Sequence, residues 1–228
     1  MFYIDKYYII LVVPTLLLSL WAQFKVKSTF AHYSRIANSR GITGTQIAQY
    51  ILRINNISDV QIKPISGSLT DHYNPGNKTL RLSTPVYAQR SVAAIGVAAH
   101  EVGHAIQHAQ GYGPLVLRST LVPIANIGSA AGPFLAAIGL IFSFSFLTKI
   151  GILLFAGSVL FYIITLPVEI NASSRAVQIL RQSRQFSDEE LAGIKKVLTA
   201  AAMTYVASAL TAIASLLRLV LITRDRDN

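Results

Sequence analysis

Three of the chain's five histidines fall at intervals of four in AAHEVGHAIQHAQG, residues 98–111, and an acid follows the first of them. On a helix His100 and His104 lie about 40° apart around the axis and about 6 Å along it, so both imidazoles project from one face. That geometry lets two ring nitrogens share one tetrahedral Zn²⁺ at about 2.0–2.1 Å. Glu101 stands beside the first histidine, placed to take a proton from a water at the ion without ligating it. The pattern is H-E-x-x-H, two zinc ligands plus a general base. A helix with ordinary surface histidines is the alternative, but residues 92–109 are otherwise almost wholly apolar. A glutamate and histidines there are costly without a partner.

A third ligand is needed. His108 continues the interval, yet on an unbroken helix it lies about 12 Å along the axis from His100, beyond a sphere of about 2 Å radius. In the longer pattern H-E-x-x-H-x-x-G-x-x-H a glycine breaks the helix before a third histidine. Those two positions are Gln107 and Gln110 here, so His108 is expected at the helix end, outside the metal sphere. The remaining glutamates are Glu169, Glu189 and Glu190. The last two open a helix at SDEE (187–190), with Ser187 as cap and Glu190 as its reciprocal partner. Glu169 lies in LPVEINASSRA (166–176), just past an apolar run, where an ionisable residue is functional by default. Asp71 and His72 are rivals, but they stand on an extended segment beside a turn, a place better suited to substrate contact. One Zn²⁺ per chain, held by His100, His104 and Glu169, is the expectation.

The elements that position these residues are apolar. Hydrophobic residues make up 52% of the 228-residue chain and charged residues 13%, about half the usual globular share of charge. Residues 7–24, 119–148, 150–168 and 197–217 carry no Lys, Arg, Asp or Glu. A helix needs about 20 apolar residues to cross a bilayer core, so the composition predicts a mainly α integral membrane protein with about four apolar helical segments. The formal net charge is +10, but no aromatic–basic interleaving or nucleic-acid motif accompanies it. It clusters instead after the first and third spans, at Lys25, Lys27, Arg35 and Arg40 and again at Arg175, Arg181, Arg184, Lys195 and Lys196. Such clusters mark cytoplasmic segments. The cell membrane, crossed several times, is the predicted location, with the active site on the cytoplasmic side. Cysteine is absent, which excludes disulfides and thiolate ligands.

Five segments follow. Residues 1–24 form an N-terminal transmembrane anchor, because the apolar run outlasts a cleavable signal. Residues 25–118 form the domain that carries the H-E-x-x-H helix. Residues 119–168 form a transmembrane helical hairpin turning near FLTK (146–149), residues 169–196 the third-ligand helix and loop, and residues 197–228 an apolar helix and tail. Within the second segment, ITGTQIAQYILRINN (42–56) reads as an amphipathic helix with Thr43 and Gln46 as a capping box. VQIKPI (60–65) and KTLRLS (78–83) read as strands flanking an NPGN turn (74–77). A helix capped by Thr84 with Pro85 at its start follows, and Ser91 offers a second start for the helix that runs to about Ala109. Thr204, Ser208, Thr211, Ser215 and Arg218 form a polar stripe along the last helix, which should face protein rather than lipid.

HEVGHAIQ with the downstream VEINASSRA resembles the YugP-type neutral zinc metallopeptidases, small membrane-bound proteins of bacteria. The likeness continues through DHYNPGNKTLRLS (71–83), RSVAAIGVAAHEVGHAIQ (90–107) and AAMTYVASALTAI (201–213), most of the chain. More distantly the arrangement is similar to the gluzincin-type membrane peptidases related to HtpX. The resemblance implies a small α+β zincin-like catalytic domain and a zinc-dependent endopeptidase acting on protein or peptide substrates at the bilayer. It also implies Glu169 as third ligand, and a residue four positions later that supports a zinc-binding histidine. That position is Ser173, a hydroxyl where those relatives place a carboxylate. His72, Tyr73, Arg175 and Tyr205 are candidates for stabilising the oxyanion or contacting substrate, and Arg175 equally reads as a membrane-edge charge. NKTLRLS (77–83) is the expected edge strand for pairing an extended substrate. A non-catalytic membrane scaffold or adaptor with a structural zinc site is the rival reading. The substrate, partner proteins and oligomeric state are not legible.

Overall fold

The computed structural model describes residues 5–227. A π-helical turn at Tyr8–Val12 leads into α1 (Val13–Ser34), followed by α2 (Gly44–Ile54), β1 (Gln61–Ile65), β2 (His72–Asn74) and β3 (Thr79–Ser83). The rest is helical: α3 (Thr84–Tyr87), α4 (Val92–Ala109), α5 (Gly113–Ile141), α6 (Ser145–Gln182) and α7 (Asp188–Asp227). Among the described residues, four helical stretches are long and apolar enough to cross a membrane: Tyr8–Ser34, Gly113–Ile141, Ser145–Gln182 and Asp188–Arg226. The protein is mainly α and membrane-embedded, with one small sheet. Its residues cluster into two compact units, one of Met1–Gln23, Val116–Pro167 and Met203–Asn228, the other of Phe24–Leu115 and Val168–Ala202.

The second unit holds the sheet and α4. Helix α2 begins where expected, because Thr43 accepts from the Gln46 amide while the Gln46 side chain accepts from Thr43. Its Ile47 and Ile51 are fully buried beside Leu80, Leu82, Ile95 and Val102, each worth about 2 kcal/mol of burial. The sheet order is β1-β3-β2, with β1 parallel and β2 antiparallel to β3. Residues 79–83 are therefore the central strand and not an edge. Both leucines of β3 are fully buried, whereas β1 is largely exposed, and an apolar strand of that kind belongs in the middle of a sheet. The short β2 over His72–Asn74 forms the other edge, against which α4 packs. Ser83, not Thr84, precedes α3, and its amide and hydroxyl both go to the Asp71 carboxylate at 2.7 Å.

In the first unit, α5 and the early part of α6 form the hairpin. The chain turns at residues 142–144 rather than at 146–149, with Ser143 at φ 57° and the Phe144 amide returning to the Gly139 carbonyl. Lys149 lies inside the helix, so its charge misplaces the turn in the sequence. Small residues let the limbs touch: a Cβ on Gly128 would collide with the Leu154 carbonyl, and one on Gly151 with the Ala136 amide. Ser158 donates to the Ala125 carbonyl across the same seam. Leu17, Leu20, Phe134 and Leu153 remain largely exposed, as lipid-facing residues should. The polar stripe of α7 meets the N-terminal helix: Thr211 reaches Ser19 and the Thr15 carbonyl, and Arg218 grips Asp5 at 2.6 and 2.8 Å. Lys6 and Tyr7 both contact Asp225, and Arg226 donates to Ser143. The N-terminal end of this helix, the hairpin turn and the end of α7 thus gather at one end of the unit.

Gly151→Leu is expected to cost about 1–3 kcal/mol by overpacking the hairpin seam. The check is the thermal unfolding midpoint of detergent-solubilised protein, which should fall by several degrees; an unchanged midpoint would mean that the limbs do not rely on this close approach.

Candidate metal centre

Helix α4 starts at Ser91, whose hydroxyl accepts from the Ala94 amide at 3.1 Å, and then buries nearly every side chain through Gln107. His100 and His104 leave it one turn apart, with ring centroids 4.8 Å apart and planes at 85°. The two rings are held by their Nδ1 atoms. That of His100 is 3.0 Å from the Ser173 hydroxyl, and that of His104 is 3.0 Å from Gln107 Oε1. The Gln107 amide donates to the Val168 carbonyl and to Asn171 Oδ1, both at 2.9 Å. This use of its –NH₂ fixes Oε1 as the acceptor facing His104, which leaves His104 Nδ1 as donor and Nε2 free to coordinate.

Both Nε2 atoms converge on one oxygen. Glu169 Oε2 is 3.3 Å from His100 Nε2 and 3.5 Å from His104 Nε2, and the Glu169 side chain is only 2% exposed. Helix α6 delivers it because α4 and α6 pack with almost no gap. A Cβ on Gly103 would stand 2.7 Å from the Ala172 carbonyl, so the residue between the two histidines must be small. Burial pushes the Glu101 carboxyl above the usual carboxylate range, partly offset by the neighbouring His100 and His104. Burial also disfavours charge on His104, but the Glu169 and Glu101 carboxylates outweigh it and raise its affinity for a proton. Glu101 itself makes no hydrogen bond to protein among the described residues, which leaves its oxygens available.

The donor set fits zinc. A tetrahedral ion with bonds of about 2.0–2.1 Å spaces its ligand atoms about 3.3–3.4 Å apart, close to the spacing of Glu169 Oε2 from the two ring nitrogens. All three donors lie within 4.8 Å of one another. Metal-binding histidines commonly hydrogen-bond through the nitrogen opposite the metal, as both do here.

The other candidates are placed differently. His108 turns to Tyr73, whose hydroxyl is 2.8 Å from its Nδ1, and it is outside the donor cluster. His72 contacts the Thr70 carbonyl at 2.9 Å, and Asp71 is taken up by Ser83. Arg175 donates to Asn171 Oδ1 and to Gln110 Oε1, each at 2.6 Å, and lies 5.8 Å from the Tyr112 ring centroid. It thereby joins the chain of polar contacts that runs through Asn171 and Gln107 to His104. Tyr205 belongs to the other compact unit. Gln107, Asn171 and Gly103 are the residues that sequence reasoning missed. Gln107 carries a signal, being a polar residue three positions past His104 on an otherwise apolar helix; Asn171 carries none before the helices are placed together.

Comparison with known proteins agrees with this chemistry. Residues 8–224 match the family described as "Putative neutral zinc metallopeptidase". The chain is 50% identical over 215 residues to the Bacillus subtilis (strain 168) protein named "Putative membrane protease YugP", covering 94% of this chain and 96% of that one. No solved structure matches. Zinc is thus the cofactor that the family name and the donor cluster both call for, and with nearly its whole length matched the chain belongs to this family of neutral zinc metallopeptidases.

Proposed function

We propose that the protein is a membrane-bound zinc-dependent endopeptidase in which His100, His104 and Glu169 hold the metal and Glu101 is the general base. The observation that carries this reading is the buried convergence of both Nε2 atoms on Glu169 Oε2, one residue away from a buried and otherwise unengaged carboxylate. Zinc, when bound, supplies Lewis acidity that polarises the scissile carbonyl and acidifies water. Glu101 then takes the proton of the attacking water and passes it to the leaving amine. Ser173 and Gln107 hold the rings in the orientation and tautomer that coordination needs. With β3 interior, the strand for pairing an extended protein or peptide substrate is β2, the sheet edge beside α4, where His72 and Tyr73 are at hand for substrate contact. Three protein donors and a free acid favour this over a scaffold with structural zinc, because structural sites close with four protein ligands.

The basic residues of Phe24–Leu115 and Val168–Ala202 support a cytoplasmic active site. The gathered contacts of Lys6 and Tyr7 with Asp225, and of Ser143 with Arg226, support an N-terminus, hairpin turn and tail together on the opposite side, with α7 spanning fully.

Zinc content and hydrolysis test the site together. Purified Glu169→Gln should lose stoichiometric zinc and His108→Ala should keep it; the reverse pattern would overturn the ligand assignment. Glu101→Gln should retain zinc while turnover of an unfolded protein substrate falls about 10²–10⁴-fold, and comparable turnover would point to a scaffold. For sidedness, cysteines introduced at Ser68 and Ser145 of this cysteine-free chain can be probed in intact cells with an impermeant thiol reagent. Ser68→Cys should resist and Ser145→Cys should react. The opposite labelling would invert the topology.

A further inference from the structure

Arg175 is half-buried and has no carboxylate partner among the described residues. Its guanidinium goes instead to two side-chain amide oxygens, Asn171 Oδ1 through Nε and Gln110 Oε1 through Nη1, each at 2.6 Å. Asn171 stands one turn earlier on α6, and Gln110 caps the end of α4. A guanidinium donates and never accepts, so both amides must present oxygen to it. Asn171 Oδ1 also accepts from Gln107 Nε2 at 2.9 Å, which fills its two lone pairs. The other hydrogen of Gln107 Nε2 goes to the Val168 carbonyl, so only Oε1 is left for His104 Nδ1. This relay is anchored at both ends by groups that cannot reverse, a guanidinium and a backbone carbonyl.

We infer that Arg175 is a positioning residue for the metal centre. It keeps Asn171 facing Gln107 as an acceptor, and through Gln107 it keeps the coordinating nitrogen of His104 aimed at the ion. The inference rests on the ligand assignment above. Without the cation, the Asn171 amide is free to turn over and point its –NH₂ at that of Gln107. Donor then faces donor, Gln107 keeps only the Val168 carbonyl, and the His104 ring loses its fixed partner. Groups that hold a metal-binding histidine are worth about 10–100-fold in metal affinity. Arg175 acts two side chains away from His104, which puts its effect at the lower end, about tenfold. Direct contact with substrate is the rival role, but the guanidinium already spends its Nε and Nη1 on the relay.

The test measures the zinc Kd of full-length protein in detergent by competition with a chromogenic chelator, beside kcat/KM at saturating zinc. Arg175→Met should weaken zinc about tenfold, and Arg175→Lys, still a pure donor, should recover most of it. Asn171→Leu, which removes the middle of the relay and leaves Arg175 in place, should weaken zinc as Arg175→Met does. The decisive background is Asn171→Asp, because a carboxylate accepts from Gln107 with or without a cation beside it. There, adding Arg175→Met should change the zinc Kd by about twofold or less, a coupling that a double-mutant cycle isolates. A zinc Kd unchanged in Arg175→Met, with kcat/KM alone reduced, would overturn the inference and make Arg175 a substrate contact. An equal loss of zinc in both backgrounds would also overturn it, as expected of a simple clamp between α4 and α6. His104→Ala separates the two levels. If that variant keeps its zinc, the ligand assignment fails and the inference with it; if it loses zinc while Arg175→Met does not, only the inference fails.

Discussion

The placement of Glu169 against two imidazoles, nearly sealed from water, is the interaction on which the rest of the structure depends. An isolated carboxylate at that depth is prohibitively costly, and only cationic or metal partners make it tolerable. The two ring nitrogens and the oxygen must therefore meet, which requires α4 and α6 to run almost in contact. Gly103 permits that approach at the Ala172 carbonyl. Substituting even a methyl group there forces the helices apart, and the spacing that suits a tetrahedral ion goes with it.

Around this point the polar groups form a single supporting chain. Gln107 ties His104 to the α6 backbone at Val168 and to Asn171, and Arg175 ties Asn171 to Gln110 at the end of α4. Ser173 holds the other ring. Orientation of the three donor groups thus comes from the two helices that carry them rather than from a loop, which is what a preorganised metal centre needs. Glu101 stands apart from this chain. Its burial without a protein partner raises its proton affinity, a cost to folding that a purely structural site has no use for.

Much of this was legible in the sequence where local chemistry decides the outcome. The Thr43–Gln46 and Ser187–Glu190 capping boxes, the Ser91 cap and the four long apolar helices each depend on residues a few positions apart. That Thr211 and Arg218 face protein follows from the helical spacing of the polar stripe, but their partners in the N-terminal segment, Thr15, Ser19 and Asp5, do not. What the sequence hides depends on long-range packing. The alternation in KTLRLS reveals a strand but not that β1 and β2 cover both of its edges. The charge of Lys149 suggests a turn, although the chain reverses earlier, where Ser143 adopts a left-handed conformation. Asn171 and Gly103 take their meaning only once α4 and α6 lie side by side.

The central claim is that two imidazoles and one carboxylate meet on a single zinc ion. X-ray absorption at the zinc edge of the purified, detergent-solubilised protein tests it most directly. The account predicts a four-coordinate ion with two imidazole nitrogens at about 2.0–2.1 Å and oxygen in the remaining positions. A third imidazole in the sphere, or four protein ligands with no oxygen position open to solvent, would contradict it.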